Sequence, residues 1–261
     1  MMRYSLVFTI LLLAAACSST RVPADETPGH ISSNPEGKGP ALEIEMIRGQ
    51  EHNHPLMAIW VEDEKGNYVQ TLYVAESIGK GIFQHGDASR GFWMPGEIRR
   101  PAALPYWAHK RGIRADDGLY IPSPGNPVPD AYTGPTPGKS FVLHTRLDED
   151  GPERFRVLLE INQTWDWNEY WTNNRFPDDE EYKTSCQPAL VYSALVDLNS
   201  PGREYPMELI GRSHHSGADG KLYDDLHTMT TALHIAEKIL VRIPGEEGSP
   251  DSAQIPLPDA R

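Results

Sequence analysis

Histidine and aspartate side chains are concentrated in one stretch near the carboxyl end of the sequence, between residues 214 and 234. Imidazole nitrogen and carboxylate oxygen together suit zinc or copper. His214, Asp225 and His227 are therefore candidate metal ligands, although their spacing matches neither a metalloprotease helix nor a zinc knuckle. The alternative is that His-Ser-Gly-Ala-Asp-Gly at 215–220 forms a hairpin turn without a metal.

A second stretch, residues 163–174, contains three tryptophans, a tyrosine and several amide and carboxylate side chains. Flat aromatic faces beside amide groups can hold a sugar or stack on a planar ring. If the stretch is extended, Trp165, Trp167 and Trp171 lie on one face together with Glu169. The alternative is that the tryptophans fill the end of the folded domain while Asp and Asn side chains cap the turn.

The same stretch contains the pair of carboxylates that we consider for catalysis. Asp166 and Glu169 are the residue types that hydrolyse a glycosidic bond by acid and base catalysis, but the sequence does not define their separation. The sequence contains no Gly-x-Ser-x-Gly elbow, no P-loop and no dinucleotide fingerprint. It therefore favours a non-enzymatic protein, with a glycan-acting hydrolase as one alternative.

Eight stretches with β-forming composition predict the framework for these residues. The clearest are 56–62 and 68–75, which flank Glu-Lys-Gly-Asn at 64–67, and a glycine between two strands is typical of a hairpin. Residues 155–164 predict a further strand. Within and just before it, residues 154–161 are apolar at odd and even positions, as expected for a strand covered on both faces. The remaining predicted strands are 41–47, 140–147, 189–198, 207–211 and 229–243. This pattern predicts a mainly β protein, an antiparallel β-sandwich.

Residues 78–139 interrupt that pattern and predict a long irregular insertion in the β-domain. They hold many of the 22 glycines and 23 prolines of the chain. One helix is predicted within them, over residues 102–111, because Pro101 suits the start of a helix. A connection of this length in a compact domain is usually functional or a packed insertion.

Four motifs in the 41–243 region resemble a family of predicted periplasmic proteins, the domain of unknown function 2271 family. They are His-Pro-Leu-Met-Ala-Ile-Trp-Val-Glu-Asp at 54–63 with Gly-Asn-Tyr-Val-Gln-Thr-Leu at 66–72, Leu-Pro-Tyr-Trp at 104–107, Asp-Ala-Tyr-Thr-Gly-Pro-Thr at 130–136 and the strand at 155–161. The resemblance implies an immunoglobulin-like β-sandwich in the periplasm. It implies no particular activity.

The motif at 130–136 is also similar to the Asp-x-x-Ser/Thr-Gly-Ala-Thr motif on which a periplasmic flavin transferase esterifies FMN to the last Thr. This similarity implies that Thr136 accepts FMN and that Asp130 assists the transfer. Pro135 stands where Ala is usual and, with Pro137, stiffens the backbone. The alternative is a plain turn that leads into the following strand.

The amino-terminal residues predict export and a lipid anchor. Arg3 is followed by the apolar run 6–16 and then Cys17, which is the order of a secretory signal. Small residues directly before Cys17 resemble a bacterial lipobox, which implies cleavage after residue 16 and acylation of Cys17. Residues 17–40 are rich in Ser, Pro and Gly and predict a flexible tether. Residues 244–261 predict a loose tail after the 41–243 domain.

The net charge of −13 argues against a nucleic-acid partner, whose phosphates need a basic surface. We therefore expect a lipid-anchored protein of the bacterial cell envelope, facing the periplasm or the exterior, with the outer membrane favoured because no acidic residue follows Cys17. Its expected role is to bind a ligand or protein of the envelope through residues 165–174 and 78–139. The alternatives are an electron carrier with FMN on Thr136 and the hydrolase described above.

Overall fold

A computed structural model describes residues 27–245 of the chain. The protein is mainly β, with 37% of residues in strands and 10% in helices, as the sequence predicts. The described residues form β1 Gly29–Ser32, β2 Ala41–Arg48, β3 Leu56–Glu62, β4 Tyr68–Ala75, α1 Glu76–Lys80, β5 Ile82–Asp87, β6 Met94–Glu97, α2 Pro105–Arg111, β7 Thr133–Gly134, β8 Phe141–Arg146, β9 Arg154–Asn162, β10 Leu190–Asp197, β11 Glu204–Pro206, β12 Glu208–Arg212 and β13 Ala236–Arg242.

Within residues 27–245 these strands form three sheets. One sheet has the strand order β1-β8-β2-β13-β11, a second has the order β12-β10-β9-β3-β4-β7, and β5 pairs with β6 in a separate hairpin. Most neighbours are antiparallel, but β1 runs parallel to β8 and β7 runs parallel to β4. The predicted β3–β4 hairpin is confirmed, with Gly66 at φ 83° in its turn.

The two larger sheets contribute side chains to one main core. In β2 every second side chain enters this core, namely Leu42, Ile44 and Met46. Side chains of β3, β9 and β10 reach the same core from the second sheet. The period of two in β2 therefore follows from a strand with one face in the core.

The outer face of the second sheet forms a second core. Trp60 of β3 and Leu158 of β9 lie there, covered by Ile78 of α1 and by Leu104 and Trp107 at α2. Because the sheet is covered on both sides, every residue of β3 is buried. The prediction that β9 is covered on both faces is confirmed, since Leu158 enters the second core and Leu159 the main core.

The folded domain begins before the predicted boundary at residue 41. β1 pairs with β8 over residues 29–32, and Ser33 and Asn34 are buried. The tether prediction is therefore wrong for this part of 17–40, because backbone pairing with a distant strand orders a segment that has few apolar side chains. The predicted signal at 1–16, the lipidation site Cys17 and residues 246–261 of the predicted tail lie outside the described residues.

The segment 78–139 contains more regular structure than its composition suggests. It includes most of α1, the β5–β6 hairpin, α2 and β7. The predicted helix over 102–111 begins later, at Pro105, because Leu104 at φ −138° precedes the first helical residue. Gly112 at φ 69° ends α2 in the left-handed region, which favours glycine. Between residues 27 and 245, no helix has both the length and the apolar character needed to cross a membrane.

Candidate ligand-binding cleft

A cleft of about 540 Å³ opens beside α2. One wall is α2 with the loop that follows it, and the other walls are the loops at 178–181 and 216–218. This volume lies within the range of small-molecule sites in proteins. We call it the α2 cleft.

A buried carboxylate holds the first turn of α2. The Glu160 carboxylate on β9 accepts backbone hydrogen bonds from Tyr106 (N···O 3.1 Å) and Trp107 (N···O 2.7 Å). These donors are among the free N–H groups at the start of a helix. Burial raises the pKa of Glu160 to about 8, and the two backbone hydrogen bonds oppose that rise.

Trp107 fixes the rotation of α2 about its axis. Its side chain is fully buried in the second core, and its indole Nε1 donates to Thr71 Oγ1 at 3.0 Å. His109 follows two residues later, roughly 200° further around a helix. His109 therefore lies on the face of α2 opposite to Trp107. On that face its side chain lines the wall of the α2 cleft.

The α2 wall of the cleft carries two nitrogen-containing side chains. His109 Nδ1 donates to the Pro105 carbonyl at 2.8 Å, and its ring packs on Tyr120 with centroids 4.2 Å apart. In the neutral ring this leaves Nε2 as an acceptor. Arg114 donates from Nε to the Gly118 carbonyl at 2.7 Å. This wall therefore offers a guanidinium, an imidazole and an aromatic face.

The loop at 178–181 brings three carboxylates to the cleft, Asp178, Asp179 and Glu181. Asp179 Oδ1 accepts the backbone N–H of Tyr182 at 2.8 Å, at the start of the short 3-10 helix Tyr182–Thr184. None of the three, nor Arg114, forms an ion pair within residues 27–245. Charges of opposite sign therefore line the cleft without neutralising each other.

The structure does not group the three candidate metal ligands. Residues 27–245 contain no group of three or more His, Cys, Asp or Glu side chains arranged to hold a metal ion. Asp225 is paired with the Arg212 guanidinium at 2.7 Å, His214 Nδ1 accepts the backbone N–H of Ser216 at 3.2 Å, and His227 is exposed. Asp225 and His214 thus have other partners, and His227 faces solvent.

His215, beside His214, belongs to an aromatic cluster behind the cleft. Its ring stacks on Phe176 with centroids 4.2 Å apart and on His214 at the same distance. Burial first, and then the neighbouring His214, lower the pKa of His215 to about 4. The ring is therefore neutral at physiological pH and serves as packing.

The three tryptophans of residues 163–174 do not share one face. Trp165 adopts φ 61°, so the chain turns there and is not extended. Trp171 is buried in the main core, while Trp165 and Trp167 are exposed. Asn168 Oδ1 accepts the backbone N–H groups of Tyr170 and Trp171, as the alternative of a capped turn predicts.

Arg100 connects the tryptophan stretch to the 78–139 segment. Its guanidinium carbon lies 4.0 Å from the Phe83 ring centroid and 4.5 Å from the Trp165 ring centroid. Its Nη1 donates to Thr164 Oγ1 at 3.1 Å. The two stretches that the sequence assigns to one binding surface are thus in contact through Arg100, although neither exposed tryptophan lines the α2 cleft.

The carboxylate pair considered for catalysis lies outside the cleft. Asp166 Oδ2 accepts the Thr231 hydroxyl at 2.6 Å. Glu169 is exposed.

Thr136 lies in the connection between β7 and β8, with a partly exposed side chain. The carbonyls of both neighbouring prolines are held, since Tyr73 donates to Pro135 and the imidazole of His52 donates from Nε2 to Pro137 at 3.0 Å. Asp130 pairs with Lys80 at 3.0 Å at the protein surface. The structure thus brings neither residue into the α2 cleft.

The residues that line the α2 cleft were not singled out from the sequence. Tyr120, Arg114 and His109 come from the predicted insertion, but Asp178 and Ser216 come from loops far along the chain. A weak sequence signal was available in the Pro-Asp-Asp-Glu-Glu run at 177–181, which concentrates acidic residues in a loop. No family model matches this chain, and no curated protein or solved structure is similar to it.

Proposed function

We propose that this protein is a non-enzymatic binding module of the bacterial cell envelope, and that its ligand is a small zwitterion held in the α2 cleft. In this proposal Cys17 carries the lipid anchor, on the outer membrane. The fold is an immunoglobulin-like sandwich with the 78–139 segment as its insertion. Membership of the domain of unknown function 2271 family is part of the same proposal and rests on the four motifs described above.

The proposed ligand class rests on one observation. Arg114 on one wall of the cleft and Asp178 and Glu181 on another have no ion-pair partner within the described chain. A ligand with one cationic and one anionic group can form an ion pair with each of the two walls at the same time. A ligand with a single charge can form an ion pair with one wall only, and the like charge on the other wall repels it.

The test uses three probes with the same carbon chain: 6-aminohexanoate, hexanoate and hexylamine. Binding to the full chain is followed by calorimetry and by the thermal shift of unfolding. We expect the zwitterion to bind at least roughly tenfold more tightly than either singly charged probe, because it pairs with both walls. Equal binding of all three, or no binding of the zwitterion, contradicts the proposal.

Matched variants assign the binding to the cleft. Arg114→Gln and Asp178→Asn each remove one charge from an exposed side chain, and we expect each to abolish the advantage of the zwitterion. Arg203→Gln and Asp150→Asn remove the same charges from exposed residues that do not line the cleft. If the ligand binds in the α2 cleft, both control variants still bind the zwitterion more tightly than the singly charged probes.

A flavin-carrying electron carrier is a second candidate, favoured by the partial exposure of the Thr136 side chain in the connection between β7 and β8. An acceptor hydroxyl must be reached by a transferase, and a partly exposed side chain allows that approach. Coexpression with a periplasmic flavin transferase, followed by intact mass measurement, tests this. An FMN-sized mass increase that is lost in Thr136→Ala supports the carrier, and an unmodified wild-type chain contradicts it for that transferase.

A further inference from the structure

The exposed aromatic side chains are confined to two segments of the described chain. They are Phe92, Trp93, Trp165, Trp167 and Tyr170. Phe92 and Trp93 lie in the turn of the β5–β6 hairpin and are 61% and 64% exposed. The other three lie in the 165–170 segment after β9. Adjacent Phe and Trp side chains in a hairpin turn are an unusual exposure of apolar surface.

The register of the sheets shows that β1 and β3 begin at the same end of the molecule. Gly29, the first residue of β1, is opposite Phe141, and Phe141 is opposite Met46 near the end of β2. The short connection 49–55 then leads to Leu56 at the start of β3. The described chain therefore enters the fold at the end where β3 begins.

Both aromatic segments leave the sheets at that same end. Leu56 is opposite Asn162, the last residue of β9, and Ala58 is opposite Val74 near the end of β4. The 165–170 segment follows β9, and the β5–β6 hairpin follows β4 through α1. Arg100, between Phe83 and Trp165, joins the base of the hairpin to the 165–170 segment.

The turn of the hairpin has a composition suited to a lipid surface. Between Asp87 and Glu97 the only charged residue is Arg90, which is exposed. A cation beside aromatic side chains matches the boundary between phosphate headgroups and acyl chains, where Trp is enriched. The net charge of −13 makes a broad basic contact with the membrane implausible on electrostatic grounds, so any contact must come from a small apolar element such as this turn.

We propose that Phe92 and Trp93 insert into the interfacial layer of the bilayer that holds the lipid anchor. This rests on the proposed acylation of Cys17. Cys17 precedes Gly29 by 12 residues, which span at most about 40 Å when extended. The anchor therefore keeps the aromatic end of the domain near the membrane surface, and insertion of the hairpin fixes its orientation.

The test uses the chain expressed from residue 1 in a bacterial host and reconstituted in vesicles of phosphatidylethanolamine and phosphatidylglycerol with brominated acyl chains. Bromine quenches only tryptophans that reach the acyl region. We expect quenching of the wild-type protein, and a loss of roughly half or more of it in Trp93→Phe, because an inserted tip residue lies deepest. Trp167→Phe is the matched control, since Trp167 is exposed but outside the hairpin, and its loss is smaller.

Flotation of the same vesicles distinguishes a failure of the hairpin insertion from a failure of the proposed lipid anchor on Cys17. If the chain floats but Trp93→Phe leaves the quenching unchanged, or if no quenching occurs, the hairpin insertion is overturned while the anchor stands. If the chain does not float with vesicles, the anchor is overturned together with the insertion that rests on it. Flotation with quenching that depends on Trp93 supports both.

Discussion

Glu160 shows how a single residue links the sheet to the candidate site. It is a fully buried carboxyl on β9, and its two oxygens accept the backbone N–H groups that begin α2. Desolvation raises its pKa to about 8, so near neutral pH it is largely protonated in the folded state. The residue positions the helix that carries His109, and it is not among the residues that line the α2 cleft.

The raised pKa of Glu160 predicts a loss of stability as pH rises. The unfolded carboxyl titrates near 4.5 and the folded one near 8, so its contribution is complete below 4.5 and is lost as pH approaches 8. Three histidines, His52, His214 and His215, have lowered pKa values in the folded state. Below about pH 6.5 they make the free energy of unfolding rise with pH, which is opposite to the effect of Glu160. We expect the free energy of unfolding of the wild type, relative to Glu160→Gln, to fall by about 1.5 kcal/mol between pH 6.5 and 8.

Urea unfolding at several pH values measures this difference. Glu169→Gln is the matched control, because it makes the same substitution at an exposed side chain. Parallel pH profiles for the wild type and Glu160→Gln would contradict the assignment of this titration to Glu160.

At the scale of the element, β1 and the two residues after it tie the amino-terminal part of the described chain to both large sheets. The Ser33 hydroxyl donates to the Leu72 carbonyl at 2.7 Å, on β4. The Asn34 side chain donates to the Arg146 carbonyl and to the Asp148 carboxylate, each at 2.9 Å. Asn34 also has φ 46°, a conformation that Asn tolerates better than most residues.

These contacts predict that Asn34→Ala destabilises the protein by about 2 kcal/mol, since buried hydrogen bonds are lost and alanine is strained at positive φ. Glu36→Ala, two residues further on and exposed, is the control and changes stability by less than about 0.5 kcal/mol. Chemical denaturation of both variants provides the measurement. An Asn34→Ala effect as small as that of Glu36→Ala would mean that this segment is the tether predicted from the sequence.

At the scale of the whole molecule, the two cores share one sheet. Ile59 of β3 and Leu159 of β9 lie in the main core, while the neighbouring Trp60 and Leu158 lie in the second core. Loss of either core would leave these strands with one face in water. The sheet therefore couples the cleft, which is built on the second core through α2, to the rest of the fold.

This coupling predicts a single cooperative unfolding transition. Trp60 and Trp107 report on the second core and Trp171 on the main core, so tryptophan fluorescence samples both. We expect its denaturation curve to superimpose on that of far-ultraviolet circular dichroism. A fluorescence change that clearly precedes the loss of strand signal would show that the second core unfolds separately.

Local patterns in the sequence determined much of the framework. The alternation in β2 and the Gly66 turn between β3 and β4 both depend on near neighbours in the chain. Side-chain period and backbone conformation are local properties, and they predict strands and turns without knowledge of the fold. The same reasoning predicted the mainly β class and the double coverage of β9.

Only the tertiary structure decided which side chains meet. β1 is a strand because β8 is beside it, and Trp171 is buried although it belongs to the same short stretch as the exposed Trp167. The α2 cleft brings Arg114 together with Asp178 from a loop more than sixty residues later. Such contacts depend on how the sheets and loops pack, and local periodicity does not contain that information. The sequence therefore predicted strands but did not predict the cleft.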